Sequence, residues 1–334
     1  MLEHYSPSEK HVLTRLQRGI EAVSRPFQGF DLPEQEVIGL LRRAMEDGFV
    51  RRFGVVYDAR RLGYKSVLCA LDCDAEAIDE KAAIIASHGG VTHCYERRPL
   101  IGDAPYPALW FTFAMLREQF KEGLAGIRAH VEDGQSRVLE LPALRRFKID
   151  VVFDLQEARR DETFPGVVQT SEHEETEDFR TFSAWERALV RATDQQIPLC
   201  ARPFADIARQ LGKPEQHVVD RLQSWKREGV LRRIAAILDH RNSGFKANGM
   251  CVWPVEGDIS AVGRRLAGRS EVTHCYQRPR LEEFPFDLYA MIHTSSREET
   301  KALFRNISAE CGLSNGELFL SLREYKKASM QYYR

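Results

Sequence analysis

What most limits how this chain can fold is a stretch written twice. Val91-Thr92-His93-Cys94-Tyr95 returns as Val272-Thr273-His274-Cys275-Tyr276, 181 residues later (93 to 274). The same offset carries Arg51-Arg52 onto Arg232-Arg233 and Gly63-Tyr64-Lys65 onto Gly244-Phe245-Lys246. An offset held across several landmarks means two copies of one module, and the module is read before any single residue. Val, Thr and Tyr favour a strand, and strand side chains alternate between faces. His93, Tyr95 and Arg97 therefore share one face, as do His274, Tyr276 and Arg278. An imidazole, a phenol and a guanidinium on one face are poor core material and suit a binding surface. Cys94 and Cys275 fall on the opposite face, where small buried thiols are expected.

Each copy opens on a helix start. Ser6-Pro7-Ser8-Glu9 and Ser183-Ala184-Trp185-Glu186 both place a capping serine three residues before a glutamate, which satisfies two backbone donors reciprocally. In the second copy, Pro203 to Gly212 is a short helix ending at a glycine. Pro214-Glu215-Gln216 then starts a helix with Val218, Val219, Leu222 and Trp225 at helical spacing, stopped by Gly229. Helix, short helix, glycine turn, helix is a helix-turn-helix pattern. The first copy is four residues shorter between Pro26 and Pro33 than the second between Pro203 and Pro214, and Gln28-Gly29-Phe30-Asp31 replaces the middle helix. The reading helices begin Glu34-Gln35-Glu36 and Glu215-Gln216-His217. Missing bracing and acidic first turns both argue against a DNA partner.

The next module, from about Val55 to Val152, alternates strand and helix. Strands are expected at Ser66–Leu71, at the histidine stretch, at Ala108–Met115 and at Ser136–Lys148, with helices at Glu80–Ser87 and Glu118–Val131. The order βαββαβ is the ferredoxin-like split pattern, and it recurs between about Leu238 and Tyr325. The expected fold class is α+β: two tandem copies of a helix-turn-helix (winged-helix-like) domain plus a ferredoxin-like domain, forming a pseudo-dimer. Boundaries are expected at 1–54, 55–155, an acidic linker at 156–182, 183–235 and 236–334. The linker reading rests on Glu172-His173-Glu174-Glu175-Thr176-Glu177-Asp178, a solvated, apolar-poor run.

Bulk properties exclude more than they assign. With 48 basic against 49 acidic residues, nothing global draws the chain to nucleic acid or a membrane surface. No apolar run of about 18 residues is present, so no membrane span is expected. Met1-Leu2-Glu3-His4-Tyr5 shows no signal-peptide pattern. Seven cysteines without metal-type spacing suit a reducing, cytoplasmic setting.

A helix-turn-helix followed by βαββαβ resembles the Lrp/AsnC layout, whose dimers stack two such sheets face to face. Narrower features resemble the siroheme decarboxylases, the NirD/NirL-type and Ahb proteins, with both halves fused as in a NirDL-type chain. They are Arg51-Arg52-Phe53-Gly54, Val91-Thr92-His93-Cys94-Tyr95-Glu96-Arg97, Arg202-Pro203-Phe204, Leu231-Arg232-Arg233-Ile234, Asp239-His240-Arg241 and Gly244-Phe245-Lys246-Ala247-Asn248. The resemblance covers nearly the whole chain. It implies removal of two acetate carboxyls from siroheme to give 12,18-didecarboxysiroheme, in d1-type haem or alternative haem biosynthesis. It also implies no organic cofactor and related NirG/NirH-type chains as candidate partners. The rival readings are a small-molecule-sensing Lrp/AsnC-type transcription regulator and a tetrapyrrole carrier.

Such chemistry asks for proton donors near neutrality and for planar cations that grip carboxylates. His93 and His274 are the expected acids, with Tyr95 and Tyr276 as positioning groups or donors. The expected carboxylate binders are Arg51, Arg52, Arg60, Lys65, Arg97, Arg232, Arg233, Arg241, Lys246 and Arg278, with one arginine of each adjacent pair touching substrate. His240, which stands where the first copy has Ala59, is a candidate ligand of the substrate iron; no resident metal site is expected. Trp110 and Tyr289 read as core, and Arg145-Arg146 and Lys326-Lys327 as solvated charge.

Overall fold

The computed structural model describes residues 4–100, 106–148, 153–155, 159–160, 180–239 and 247–334. The first copy runs α1 (Pro7–Arg18), α2 (Glu34–Glu46), β1 (Val50–Tyr57), β2 (Tyr64–Leu71), α3 (Ile78–Ser87), β3 (Val91–Pro99), β4 (Leu109–Leu116), α4 (Arg117–Val131), β5 (Val138–Leu141) and β6 (Arg145–Lys148). A short pair, β7 (Phe153–Asp154) and β8 (Arg159–Arg160), follows. The second copy runs α5 (Ala184–Thr193), α6 (Pro203–Gln210), α7 (Glu215–Arg227), β9 (Leu231–Leu238), β10 (Ala247–Trp253), α8 (Ile259–Ala267), β11 (Val272–Gln277), β12 (Leu288–Thr294), α9 (Arg297–Cys311) and β13 (Glu317–Lys327). His240, Arg241 and Lys246 lie outside the described residues, as does the acidic run.

Both capping boxes form: Ser6 and Ser183 each accept from the backbone of the glutamate three residues on, whose carboxylate returns to the serine N–H. No helix stands between α1 and α2, whereas α6 stands between α5 and α7. The two helical units are not separate bodies. β1 and β9 pair antiparallel, and a single apolar core joins Leu13, Leu41 and Phe53 of one copy to Phe204, Leu222 and Trp225 of the other. β1 and β9 carry past residues 54 and 235, so the helical units continue into the strands that tie the copies together.

Apart from the β7–β8 pair, the remaining strands form one nine-stranded ladder, β5-β2-β4-β3-β13-β10-β12-β11-β6. Within each copy the order is that of a ferredoxin-like sheet. What the sequence did not announce is the exchange of the fourth strand. Ser136–Lys148, expected as one strand, is broken at Pro142-Ala143-Leu144, since proline has no N–H for the ladder. β5 pairs with β2 of its own copy, while β6 crosses to β11 of the other. β13 stays continuous and does both jobs, pairing with β10 through Glu317–Leu320 and with β3 from Phe319 to Lys327. The first and last strands of the ladder are consecutive pieces of chain, so the two sheets close upon one another.

Helices cover the outside. Cys69, Cys94, Phe111 and Phe113 pack under α3 and α4, and Cys251, Cys275 and Trp253 under α8 and α9. Cys94 and Cys275 are fully buried there, which leaves the histidines facing inward. Between the sheets a second core gathers Trp110, Leu141, Met250, Phe284, Tyr289 and Phe319. Among the described residues no helix is long and apolar enough to cross a membrane.

Candidate functional site

Beside that inner core the sheets part around a cavity of about 650 Å³, within the range of about 300–1,000 Å³ for sites that enclose one small ligand. Both copies of the repeated stretch line it: His93, Tyr95 and Arg97 from β3, and His274, Tyr276 and Arg278 from β11. The two walls are built alike. Register slips at Thr92 and Thr273, and each threonine hydroxyl hydrogen-bonds the Nδ1 of the next histidine at 3.0 Å. That bulge re-aims the imidazoles and fixes their rings. Each imidazole is near-parallel to the tyrosine two residues on, with centroids 6.0 Å apart for His93–Tyr95 and 6.3 Å for His274–Tyr276. Each tyrosine is capped by the next arginine, Arg97 at 5.2 Å and Arg278 at 4.9 Å.

The electrostatics are those of an anion site. Arg97 is 6% exposed, has no partner for Nη1, and is drawn down to about 10 by burial. Burial also lowers Arg146 and Arg278. Buried guanidinium atoms without partners are unusual in a folded protein, and here Arg146 Nε and Nη1 and Arg278 Nε join Arg97 Nη1 around one cavity. His93 is lowered from 6.5 to about 4 by burial first, then by Arg51, Lys327, His274 and Arg97. It is therefore neutral at pH 7 in the ligand-free protein.

Of the expected carboxylate binders, Arg51, Arg97 and Arg278 reach the cavity wall. The others that can be placed do not. Arg52 donates to the Asp194 carbonyl at 2.7 Å and so ties β1 to the end of α5. Arg60 and Arg232 close on the buried Asp58, with contacts at 3.2 and 2.8 Å, and together outweigh its desolvation to hold the carboxyl below its usual range. Arg233 is buried against the end of α1, near Gly19. Lys65 lies over the Phe120 ring at 4.9 Å, on the helix-covered face. On β1 the adjacent arginines part, Arg51 to the cavity and Arg52 to the end of α5, as alternation along a strand requires.

Several wall residues went unrecognised in the sequence. Arg146 and Lys327 line the cavity rather than standing in solvent. They are equivalent under the 181-residue offset (146 to 327), which was the signal that could have found them. Arg146 sits on the exchanged β6, its guanidinium 5.9 Å from the Tyr276 ring, and Lys327 on β13 pairs with His93. Trp110 and Tyr289 belong to the inner core and also line the cavity. Asn248, His293 and Arg297 line it too, and nothing in the repeat pointed to them. No group of three or more His, Cys, Asp or Glu that could hold a metal occurs among the described residues.

Comparison with known proteins agrees with this architecture. The profile described as AsnC-like ligand binding domain matches residues 61–148 and 242–326, and that of the Siroheme decarboxylase NirDL-like HTH domain matches 186–232. A siroheme decarboxylase from Hydrogenobacter thermophilus is 35% identical over 328 residues, 96% of this chain and 94% of the relative. The siroheme decarboxylase NirDL subunit of Paracoccus denitrificans is 32% identical over 296 residues, 86% of this chain and 85% of its own. The crystal structure of the siroheme decarboxylase NirDL matches with a TM-score of 0.74 at 31% identity, covering 98% of this chain and 94% of that one. A crystal structure of the siroheme decarboxylase NirDL in co-complex with an iron-uroporphyrin III analogue matches with a TM-score of 0.73, also at 31% identity, covering 98% and 95%. Across both halves and nearly its whole length, this chain belongs to the siroheme decarboxylase family.

Proposed function

We propose that the chain decarboxylates siroheme at two acetate side chains to give 12,18-didecarboxysiroheme, binding it between the two histidine strands and using no organic cofactor. The observation that carries this reading is the set of buried, unpartnered guanidinium atoms of Arg97, Arg146 and Arg278 around one cavity. Such a wall is stabilised by a ligand rich in carboxylates, and siroheme carries eight.

Each decarboxylation consumes one proton and releases one carbon dioxide. An acetate on a conjugated pyrrole loses its carboxyl once protonation makes the ring an electron sink. The C–C bond pair then passes into the ring as carbon dioxide leaves. A proton delivered to the methylene takes that pair into a new C–H bond, and the ring gives up its proton, leaving a methyl group and a net uptake of one proton. His93 and His274 are the proton donors in this scheme, with Tyr95 and Tyr276 stacked beside them as positioning groups. His93 is neutral in the ligand-free cavity because burial, and after it the surrounding cations, disfavour its charged form. A polycarboxylate neutralises those cations and restores the imidazolium, so the acid is charged when substrate is present. Arg51, Arg97 and Arg278 bind carboxylates in this scheme, and Arg146 and Lys327 extend the set.

Anaerobic incubation with siroheme, followed by mass spectrometry of the pigment, tests the reading; loss of two carbon dioxide units is expected. Binding with no loss of mass would make the protein a carrier. Full turnover by the His93→Ala, His274→Ala double variant would remove the histidines from the chemistry.

A further inference from the structure

The two walls related by the repeat are not equal, and the difference follows strand register. Tyr95 pairs with Trp110, and Tyr276 with Tyr289, so these two aromatic residues occupy equivalent places. Trp110 donates its indole N–H to the Pro107 carbonyl at 2.8 Å. Tyr289 is 3% exposed and its hydroxyl has no partner. Burial raises its pKa above the ordinary phenol value, so it keeps its proton near neutrality and can donate to a carboxylate. The Arg278 guanidinium lies 5.4 Å from its ring centroid.

The exchanged strands add a second inequality. β6 brings Arg146 to the second-copy wall, where the equivalent β13 brings Lys327 to the first. Arginine presents a planar fork that can grip a carboxylate through two N–H groups, whereas lysine is a point charge on a flexible stem. Polar atoms without partners are correspondingly uneven: Arg97 Nη1 and Ser321 Oγ on the first side, against Arg146 Nε and Nη1, Arg278 Nε, Tyr289 Oη and Asn248 Oδ1 on the second.

Resting on the siroheme reading, we propose that the second-copy wall is the anchoring end of the cavity. Arg146 and Tyr289 bind substrate carboxylates there and hold the macrocycle in a single orientation. His93 and His274 then face different acetates and are not interchangeable.

The test uses the full chain as wild type, Arg146→Lys and Tyr289→Phe. Binding is read by titration with iron uroporphyrin III, followed in the visible spectrum. Regiochemistry is read by separating monodecarboxylated intermediates during a single anaerobic turnover of siroheme. Wild type is expected to pass through one monodecarboxylated isomer. Each variant is expected to bind about tenfold or more weakly, as for a lost hydrogen bond to a charged group, and to release both isomers. Tyr289→Phe keeps the ring, and a melting temperature no lower than wild type certifies its fold.

Binding within about twofold of wild type in both variants overturns the proposal, as does an unchanged single isomer despite weaker binding. Wild type giving both isomers at equal rates also overturns it. Wild type that binds the porphyrin but leaves siroheme intact refutes the decarboxylase reading instead, and the titration arm still decides the anchor.

Discussion

Replacing Arg97 with methionine should make the ligand-free protein more stable and the liganded one weaker. Arg97 is buried in the cavity wall, with no carboxylate paired to it among the described residues. Burial moves its pKa from 12.5 to about 10, which corresponds to roughly 3 kcal/mol against the charged form. Stacking on Tyr95 at 5.2 Å returns about 1 kcal/mol. Methionine follows a similar path through the core without the charge. Arg97→Met should therefore raise the unfolding free energy of the free protein by about 2 kcal/mol and lift its melting temperature by a few degrees. With ligand the order reverses. A lost charge-assisted hydrogen bond of about 1.5–3 kcal/mol weakens binding roughly ten- to a hundredfold. Thermal melts with and without iron uroporphyrin III read both effects in one experiment. A variant that melts below wild type without ligand, or that binds the porphyrin as tightly, would refute the idea that this charge is held ready for an anion.

Three further outcomes follow from the same geometry. His93 has a folded pKa of about 4 against 6.5 unfolded, so between those values the unfolded chain binds more protons and stability falls as pH drops from about 6.5 towards 4. His93→Gln should flatten that slope in pH-dependent melts. Substrate carboxylates raise the same pKa, so calorimetry in buffers of different ionisation enthalpy should show proton uptake on porphyrin binding near pH 6. No uptake in wild type would contradict the charging step. At Gly249 on β10, an added Cβ would meet Thr300 Cγ2 at 2.7 Å and Leu318 Cδ1 at 2.8 Å. Gly249→Ala should cost about 1–3 kcal/mol by overpacking, measurable by denaturant unfolding.

Asp58→Ala should destabilise by about 3 kcal/mol, because the carboxylate is buried and both Arg60 and Arg232 close on it, and breaking a buried ion pair by removing one partner is costly. Denaturant unfolding at neutral pH checks this, and an unchanged midpoint would mean that the cluster is already solvated.

The sequence alone determined what depends on local order. The 181-residue repeat specified two copies, capping boxes started the right helices, and period-two alternation put His93, Tyr95 and Arg97 on one face with Cys94 on the other. The four-residue deficit told correctly that the first helical unit lacks its middle helix. Tertiary structure decided everything that depends on which strands meet. Pro142 hints at a break, but nothing local says that β6 will leave its own sheet for β11, or that β13 will reach β3. Arg146 and Lys327 therefore looked like surface charge until the exchange carried them across the molecule. In the same way Arg52, Arg232 and Arg233 resembled substrate ligands, yet Asp194, Asp58 and the end of α1 reach them only once β1 and β9 pair, while Arg60 is taken up by Asp58 two residues before it. Alternation is a property of neighbouring residues and can be read along a chain. Charge pairing and strand exchange depend on distances between residues far apart in sequence, and only folding sets those.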